Sequence, residues 1–196
     1  LLEPQVHLLD RLCLSCLAAA AGAEVFSIEM QRSLLPLIEE NARFNGMDQV
    51  HVISAAVSDE VGFLSYHRRG QCPGKRVQES CAEGHTYINA VTLDSLFLDE
   101  KRPDVLKIDV EGFESKVLAG AKQLLSEVGP MLFLEIHPAK IEGYGFSLAS
   151  IHGMLKDAGY TIQLLKHRIQ EKQLFIQDRA AFCALTGNPM AVCTRE

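Results

Sequence analysis

The sequence predicts an α/β fold with a mostly parallel sheet, helices on both faces and an antiparallel pair of strands late in the chain. Two observations predict it. Short apolar runs rich in Val and Ile alternate with stretches of 3.6-residue hydrophobic period. Two of those runs end abruptly in acids. Val105-Leu106-Lys107-Ile108 meets Asp109-Val110-Glu111-Gly112, and Met131-Leu132-Phe133-Leu134 meets Glu135-Ile136-His137-Pro138. In an open parallel sheet the carboxyl ends of strands are where ligands sit. The 196 residues suit one domain, 1–196, with a core from about 12 to 180.

Residues 12–21 read as a helix that Gly22 ends, and Glu24 to Ile28 as a strand running into Glu29. Residues 31–45 form a helix with Leu34, Ile38 and Ala42 on one stripe, and Asn45-Gly46 stops it. Val50 to Ile53 is the next strand and leads into Ala55-Ala56-Val57-Ser58-Asp59. Val61 to Tyr66 and Thr86 to Thr92 read as two strands around a polar loop, His67 to His85. After the strand at 105–108, one helix is expected from Phe113 to Val128, closed by Gly129-Pro130. Ser147 is the N-cap of a further helix with Ile151, Met154, Leu155 and Ala158 buried, and Gly159 closes it. Tyr160 to Leu165 and Gln173 to Ile176 are the late antiparallel pair. The tail from Asp178 is weakly patterned.

The net charge of -6 argues against a nucleic-acid backbone as partner. No apolar run approaches the roughly 20 residues that span a bilayer, so a soluble, cytoplasmic protein is expected. The chain opens on Leu1 and is read as a fragment; no signal peptide is visible in it. Cys13 and Cys16 form a C-x-x-C pair inside an apolar helical run, where cysteine acts as a small buried hydrophobe. Cys72 and Cys81 lie in the polar loop and are free to pair.

Four acids and a histidine carry the candidate chemistry. Glu29, directly after a strand, offers two acceptor oxygens to a ribose diol; equally, it complements the dipole of the helix that follows. Asp109 and Glu111 are two residues apart at a strand end, and Gly112 lets backbone or ligand approach. Lys107 interrupts a strand expected to be buried on both faces, so it needs carboxylate partners; Asp109 and Glu135 are the candidates, and Lys107 is read as their support. His137, with a reference pKa near neutral, is a candidate general base; equally, a histidine before proline at a strand end reads as a hydrogen-bonded structural residue. Asp109, Glu111, Glu135 and His137 are also possible metal ligands, but no tight ligand spacing supports a metal site and none is assigned.

Taken in order, Gly22-Ala23-Glu24-Val25-Phe26-Ser27-Ile28-Glu29, Asn41-Ala42-Arg43-Phe44-Asn45-Gly46, Ala55-Ala56-Val57-Ser58-Asp59, Thr92-Leu93-Asp94-Ser95-Leu96, Ile108-Asp109-Val110-Glu111-Gly112-Phe113-Glu114 and Leu134-Glu135-Ile136-His137 resemble the FkbM-type methyltransferases. The resemblance covers roughly residues 12–180. It implies a Rossmann-like class I methyltransferase fold and transfer of a methyl group from S-adenosyl-L-methionine, mostly to oxygen. It implies that Glu29 binds the cofactor ribose and that Ala55, Ala56, Val57 and Ser58 border the adenine. It further implies that Asp109 and Glu111 face the methionine end and the acceptor. The acceptor is expected to be a small molecule, glycan or lipid hydroxyl.

One stretch departs from the family. Its glycine-rich turn after the first strand corresponds here to Val6-His7-Leu8-Leu9-Asp10-Arg11-Leu12-Cys13, which has no glycine. The first strand and its loop are therefore expected to be lost with a missing amino terminus, or degenerate. That keeps a second reading open, a non-catalytic methyltransferase-like scaffold that binds a partner. A nicotinamide-dependent oxidoreductase is disfavoured, because no G-x-G-x-x-G follows a strand.

Overall fold

The computed structural model describes residues 14–67, 85–98, 102–165, 174–175 and 178–195. The glycine-less stretch Val6 to Cys13, the loop cysteines Cys72 and Cys81, and most of the polar loop lie outside them. The fold is α/β with mixed sheets. It falls into two compact units, one ending at Ala56 and one beginning at Val57.

In the first unit, helix α1 (residues 14–20) ends at Gly22, whose φ of 91° suits a residue without Cβ. Strand β1 (Val25–Glu29) pairs in parallel with β2 (Val50–Ser54), Val25 opposite Val50 and Glu29 opposite Ser54. Helix α2 (Leu35–Phe44) makes the crossover and buries Ala42 from the predicted stripe. Gly46, with φ 65°, turns the chain out of that helix, as expected from Asn45-Gly46. Cys16 is a free, half-buried thiol.

The second unit holds a five-stranded sheet and, apart from Ala56, a three-stranded one. The three-stranded sheet has the order β3 (Ala56–Val57), β5 (His85–Val91), β4 (Gly62–His67), and β4 and β5 form the expected antiparallel pair. The five-stranded sheet runs β6 (Val105–Ile108), β7 (Met131–Glu135), β10 (Met190–Thr194), β8 (Thr161–Leu165), β9 (Leu174–Phe175). Strands β6 and β7 are parallel; β10 is antiparallel to both β7 and β8. Hence β6, β7 and β8 point one way and β10 is reversed between them. β8 and β9 are the predicted late antiparallel pair. Fewer parallel neighbours result than expected, because the tail supplies a central strand. Its apolar run Met190-Ala191-Val192-Cys193 enters the core, with Ala191 and Cys193 fully buried. Burial pushes the Cys193 thiol up to about 12, so it is an inert core residue.

Helix α6 (Leu148–Asp157) packs against α4 (Glu114–Ala119) and α7 (Arg179–Cys183). Ser147 caps α6 as predicted, accepting from the Ser150 N–H while Ser150 returns the bond. Tyr160 is fully buried and its hydroxyl donates to the Pro130 carbonyl at 2.8 Å, so the apolar core keeps this polar atom satisfied. No helix among the described residues is long and apolar enough to cross a membrane.

The single helix expected from Phe113 to Val128 is broken. Its first half is α4, and a π-helical turn, Leu124–Val128, follows after Gly120. The cause is Asp94, on α3 (Leu93–Phe97), a helix whose capping box at Thr92 and Ser95 is read in the sequence as a strand end. The Asp94 N–H donates to the Gly120 carbonyl at 3.1 Å. Its carboxylate accepts from the Leu124 N–H at 2.8 Å and the Gln123 N–H at 3.2 Å. A distant side chain thus caps the second helical segment. Asp94→Ala is expected to cost about 1 kcal/mol, read as a lower urea midpoint. An unchanged midpoint would remove Asp94 from this role.

Candidate functional site

The second unit gathers most of the acids singled out above at the carboxyl ends of the parallel neighbours β6 and β7. In-register pairing sets Lys107 opposite Phe133 and Ile108 opposite Leu134, so Asp109 and Glu135 leave adjacent strands at nearly the same level. The Lys107 ammonium sits 3.4 Å from Asp109 Oδ2 and 3.9 Å from Glu135 Oε2. Lys107 is not buried as the sequence suggested. β6 closes the five-stranded sheet among the described residues, Val105 is 53% exposed, and the lysine side chain reaches solvent. Its pairing therefore adds little stability and serves to place charge.

After Asp109 the chain turns sharply. Glu111 has φ 55° and Gly112 φ 102°, two consecutive residues in left-handed geometry. A non-glycine residue there is strained, and such strain collects at functional sites. Gly112 is required: a Cβ on it would lie 2.4 Å from the Lys140 Cβ. The turn directs Glu111 back over the strand ends, where its carboxylate pairs with the Lys140 ammonium. Burial opposes charge on Glu111, but the Lys140 hydrogen bond and the His137 and Lys140 charges outweigh it, Asp109 acting against them. The net result holds the Glu111 carboxyl below its usual range.

His137 directly precedes α5 (Pro138–Ile141) and is 1% exposed. Its Nε2 lies 3.5 Å from Glu111 Oε2 and 3.8 Å from Glu135 Oε1. Its Nδ1 lies 2.6 Å from Oε1 of Glu114, a glutamate with no exposed surface. The same oxygen accepts the Gly112 N–H at 2.9 Å. Burial disfavours the imidazolium, yet the Glu114 hydrogen bond and the charges of Glu114, Glu111 and Glu135 prevail and raise the His137 pKa. Asp109, Glu135 and His137 offer ligand atoms within 4.8 Å of one another, a set able to hold a cation.

Glu114 and Lys140 are the two residues of this cluster that the sequence alone does not assign. Glu114 stands in the quoted motif, but an acid at the start of a helix reads as dipole compensation. Only the partner from β7 reveals its other role. Away from the cluster, Lys116 donates to Asp59 at 2.6 Å; burial opposes that charge, and Lys116 and Ser58 overcome it to lower the Asp59 pKa.

Glu29, Ala55 and Ala56 belong to the first unit. The Glu29 carboxylate accepts the Gln31 N–H at 2.7 Å, ahead of α2, whose first turn holds no acid, so Glu29 is not the helix-start acid weighed above; Ala55 and Ala56 are buried. Val57 and Ser58 begin the second unit. Ser58 is buried, its N–H bonds the Val91 carbonyl at 2.8 Å and its hydroxyl donates to Asp59 at 3.0 Å.

These pairs give a pH signature. His137, raised above its ordinary 6.5, contributes stability that is complete below 6.5 and is lost as pH climbs through the raised value. Glu111 and Asp59, lowered from 4.5 and 3.8, contribute stability that is complete above those values and is lost as pH falls through the lowered ones. All three act together between 4.5 and 6.5. The urea midpoint is expected to peak in that window and decline above it. A midpoint still rising from pH 6.5 to 8 would contradict the His137 assignment.

The Methyltransferase FkbM domain matches residues 11–162, which is most of the chain and includes Glu29, Asp59, Asp94, Asp109, Glu111, Glu114 and Glu135. The chain belongs to the FkbM methyltransferase family. Among solved structures it is similar to the methyltransferase FkbM of Methylobacillus flagellatus KT, with 18% identity and a TM-score of 0.55 over 92% of this chain. It is also similar to the precorrin-6y C5,15-methyltransferase of Geobacter metallireducens GS-15, with 14% identity and a TM-score of 0.42 over 88% of this chain. The chain spans 40% of the first protein's length and 65% of the second's. No curated protein matches.

Proposed function

We propose that this chain carries a Rossmann-like class I methyltransferase domain that transfers a methyl group from S-adenosyl-L-methionine to a hydroxyl of a small molecule, glycan or lipid. The observation that carries the reading is the set of carboxylates Asp109, Glu111 and Glu135 with His137 at the ends of two parallel strands. Each unit by itself supports the fold assignment: β1 and β2 are parallel in the first, and β6, β7 and β8 share a direction in the second.

The donor set suits a cationic group. Four carboxylates with Glu114 face two lysines, so the cluster keeps negative charge to spare before His137 is counted. S-adenosyl-L-methionine, when bound, supplies a methyl carbon made electrophilic by its positive sulfur and would give that methyl to an acceptor oxygen, the sulfur leaving as a neutral thioether. Asp109 and Glu111 would attract that charge; the family resemblance, by itself, gives the ribose to Glu29. Lys107 spaces Asp109 from Glu135 and limits their mutual repulsion. The acceptor proton passes to His137, and the imidazolium so formed lies among Glu111, Glu114 and Glu135. The main task of the protein is alignment of donor and acceptor.

Calorimetric titration of S-adenosyl-L-methionine into the chain tests the reading, with Glu29→Ala as control. Saturable binding that is lost in the control is the expected result. A folded chain that binds none would overturn the reading in favour of a non-catalytic scaffold.

A further inference from the structure

Glu114 is an expensive residue to place where it stands. It has no exposed surface, and its Oε2 is buried without a hydrogen-bond partner. Starting helix α4 does not require this, since a neutral acceptor at the surface would serve as well. What the position achieves is convergence. Oε1 accepts the Gly112 N–H, a group that can only donate, and meets His137 Nδ1 at 2.6 Å. An oxygen already acting as acceptor leaves the shared proton on Nδ1. His137 Nε2 is then the remaining ring nitrogen. It lies at 3.5 and 3.8 Å from Glu111 and Glu135, too far for a direct hydrogen bond to either.

We propose that Glu114 is a positioning residue: it holds His137 as the Nδ1–H tautomer, so that Nε2 is the atom turned toward Asp109, Glu111 and Glu135 to take the proton of the acceptor hydroxyl. The purpose of Nε2 rests on the reaction proposed above, but the tautomer does not. Among the described residues, charged groups reach the cluster around the ring from several elements. Glu114 comes from α4, Glu111 and Asp109 from the turn after β6, Lys107 from β6, Glu135 from β7 and Lys140 from α5. Removing the Glu114 charge alone therefore has a defined direction: protonation of His137 becomes harder. An orienting carboxylate behind an imidazole is a recurring arrangement wherever one ring nitrogen must be presented.

Glu114→Gln keeps an acceptor oxygen for both bonds and removes only the charge. Long-range proton–nitrogen spectra of the histidine-labelled 196-residue chain, with His137→Gln to assign the signal, read tautomer and titration without any cofactor. The expected result is the Nδ1–H tautomer in wild type and a His137 titration moved to lower pH in Glu114→Gln. Glu114→Ala is expected to lose the tautomer preference. With an acceptor in hand, the rising limb of the pH–rate profile should move to lower pH in Glu114→Gln, and kcat should fall about 100-fold at its plateau. An Nε2–H tautomer in wild type, or a titration that Glu114→Gln leaves in place, would overturn the proposal even if methyl transfer were established. The tautomer and its dependence on Glu114, in a chain that methylates no hydroxyl, would overturn the reaction and uphold the positioning role.

Discussion

Replacing Gly120 by alanine is expected to destabilise the protein by ~3 kcal/mol or more, a large share of a domain's whole stability. A Cβ on Gly120 would stand 2.0 Å from the Ser58 carbonyl oxygen, 3.0 Å from its carbon and 3.1 Å from the Asp59 Cα. All three are backbone atoms, so no side chain can swing aside. Ser58 is itself held by the bond from its N–H to Val91, and Gly120 by its carbonyl to the Asp94 N–H. Neither partner has freedom to retreat. The control is Gly153→Ala. Gly153 lies inside helix α6, and a methyl carbon added there would meet nothing within 4 Å. Removing a helical glycine should stabilise by about 1 kcal/mol. Urea denaturation measures both. Equal midpoints for the two variants would show that the close approach at Gly120 is not a fixed feature.

Asp109→Asn is expected to abolish methyl transfer, lowering kcat/KM by roughly 100-fold or more, while leaving the thermal midpoint almost unchanged. The two halves of this expectation have separate causes. Asp109 and Lys107 are partly solvated and 3.4 Å apart, so loss of their pairing removes little stability. The same carboxylate is one of three at the ends of β6 and β7, where a positive donor and a hydroxyl acceptor would meet, and the amide carries no charge. A variant that turns over like wild type would withdraw Asp109 from the site. A variant that fails to fold would show that its pairing with Lys107 matters more than its exposure implies.

What was legible in the sequence follows the range of the interactions involved. Helix α6 with its cap at Ser147 and stop at Gly159 was readable, because a 3.6-residue stripe and its caps lie within one short window. Strands β6 and β7 were readable for the same reason, and so was the delivery of Asp109, Glu111, Glu135 and His137 to strand ends. The helix expected across Gly120 was not, because its interruption is imposed by Asp94, which lies elsewhere in the chain. Strand β10 has an ordinary apolar run, yet its place between β7 and β8 depends on pairing with residues far away in sequence.

The sequence by itself determined helices α1, α2 and α6, strands β1, β2 and β4 to β9, and the acids at two strand ends, since periodicity, caps and glycine turns act over a few residues. The tertiary structure decided which of those groups meet. It brought Glu114 of one helix start against His137 of the next strand end and buried both, which fixed one ring nitrogen and turned the other toward the acids. Local pattern cannot encode that meeting, because it depends on parallel register and on the left-handed turn at Glu111 and Gly112.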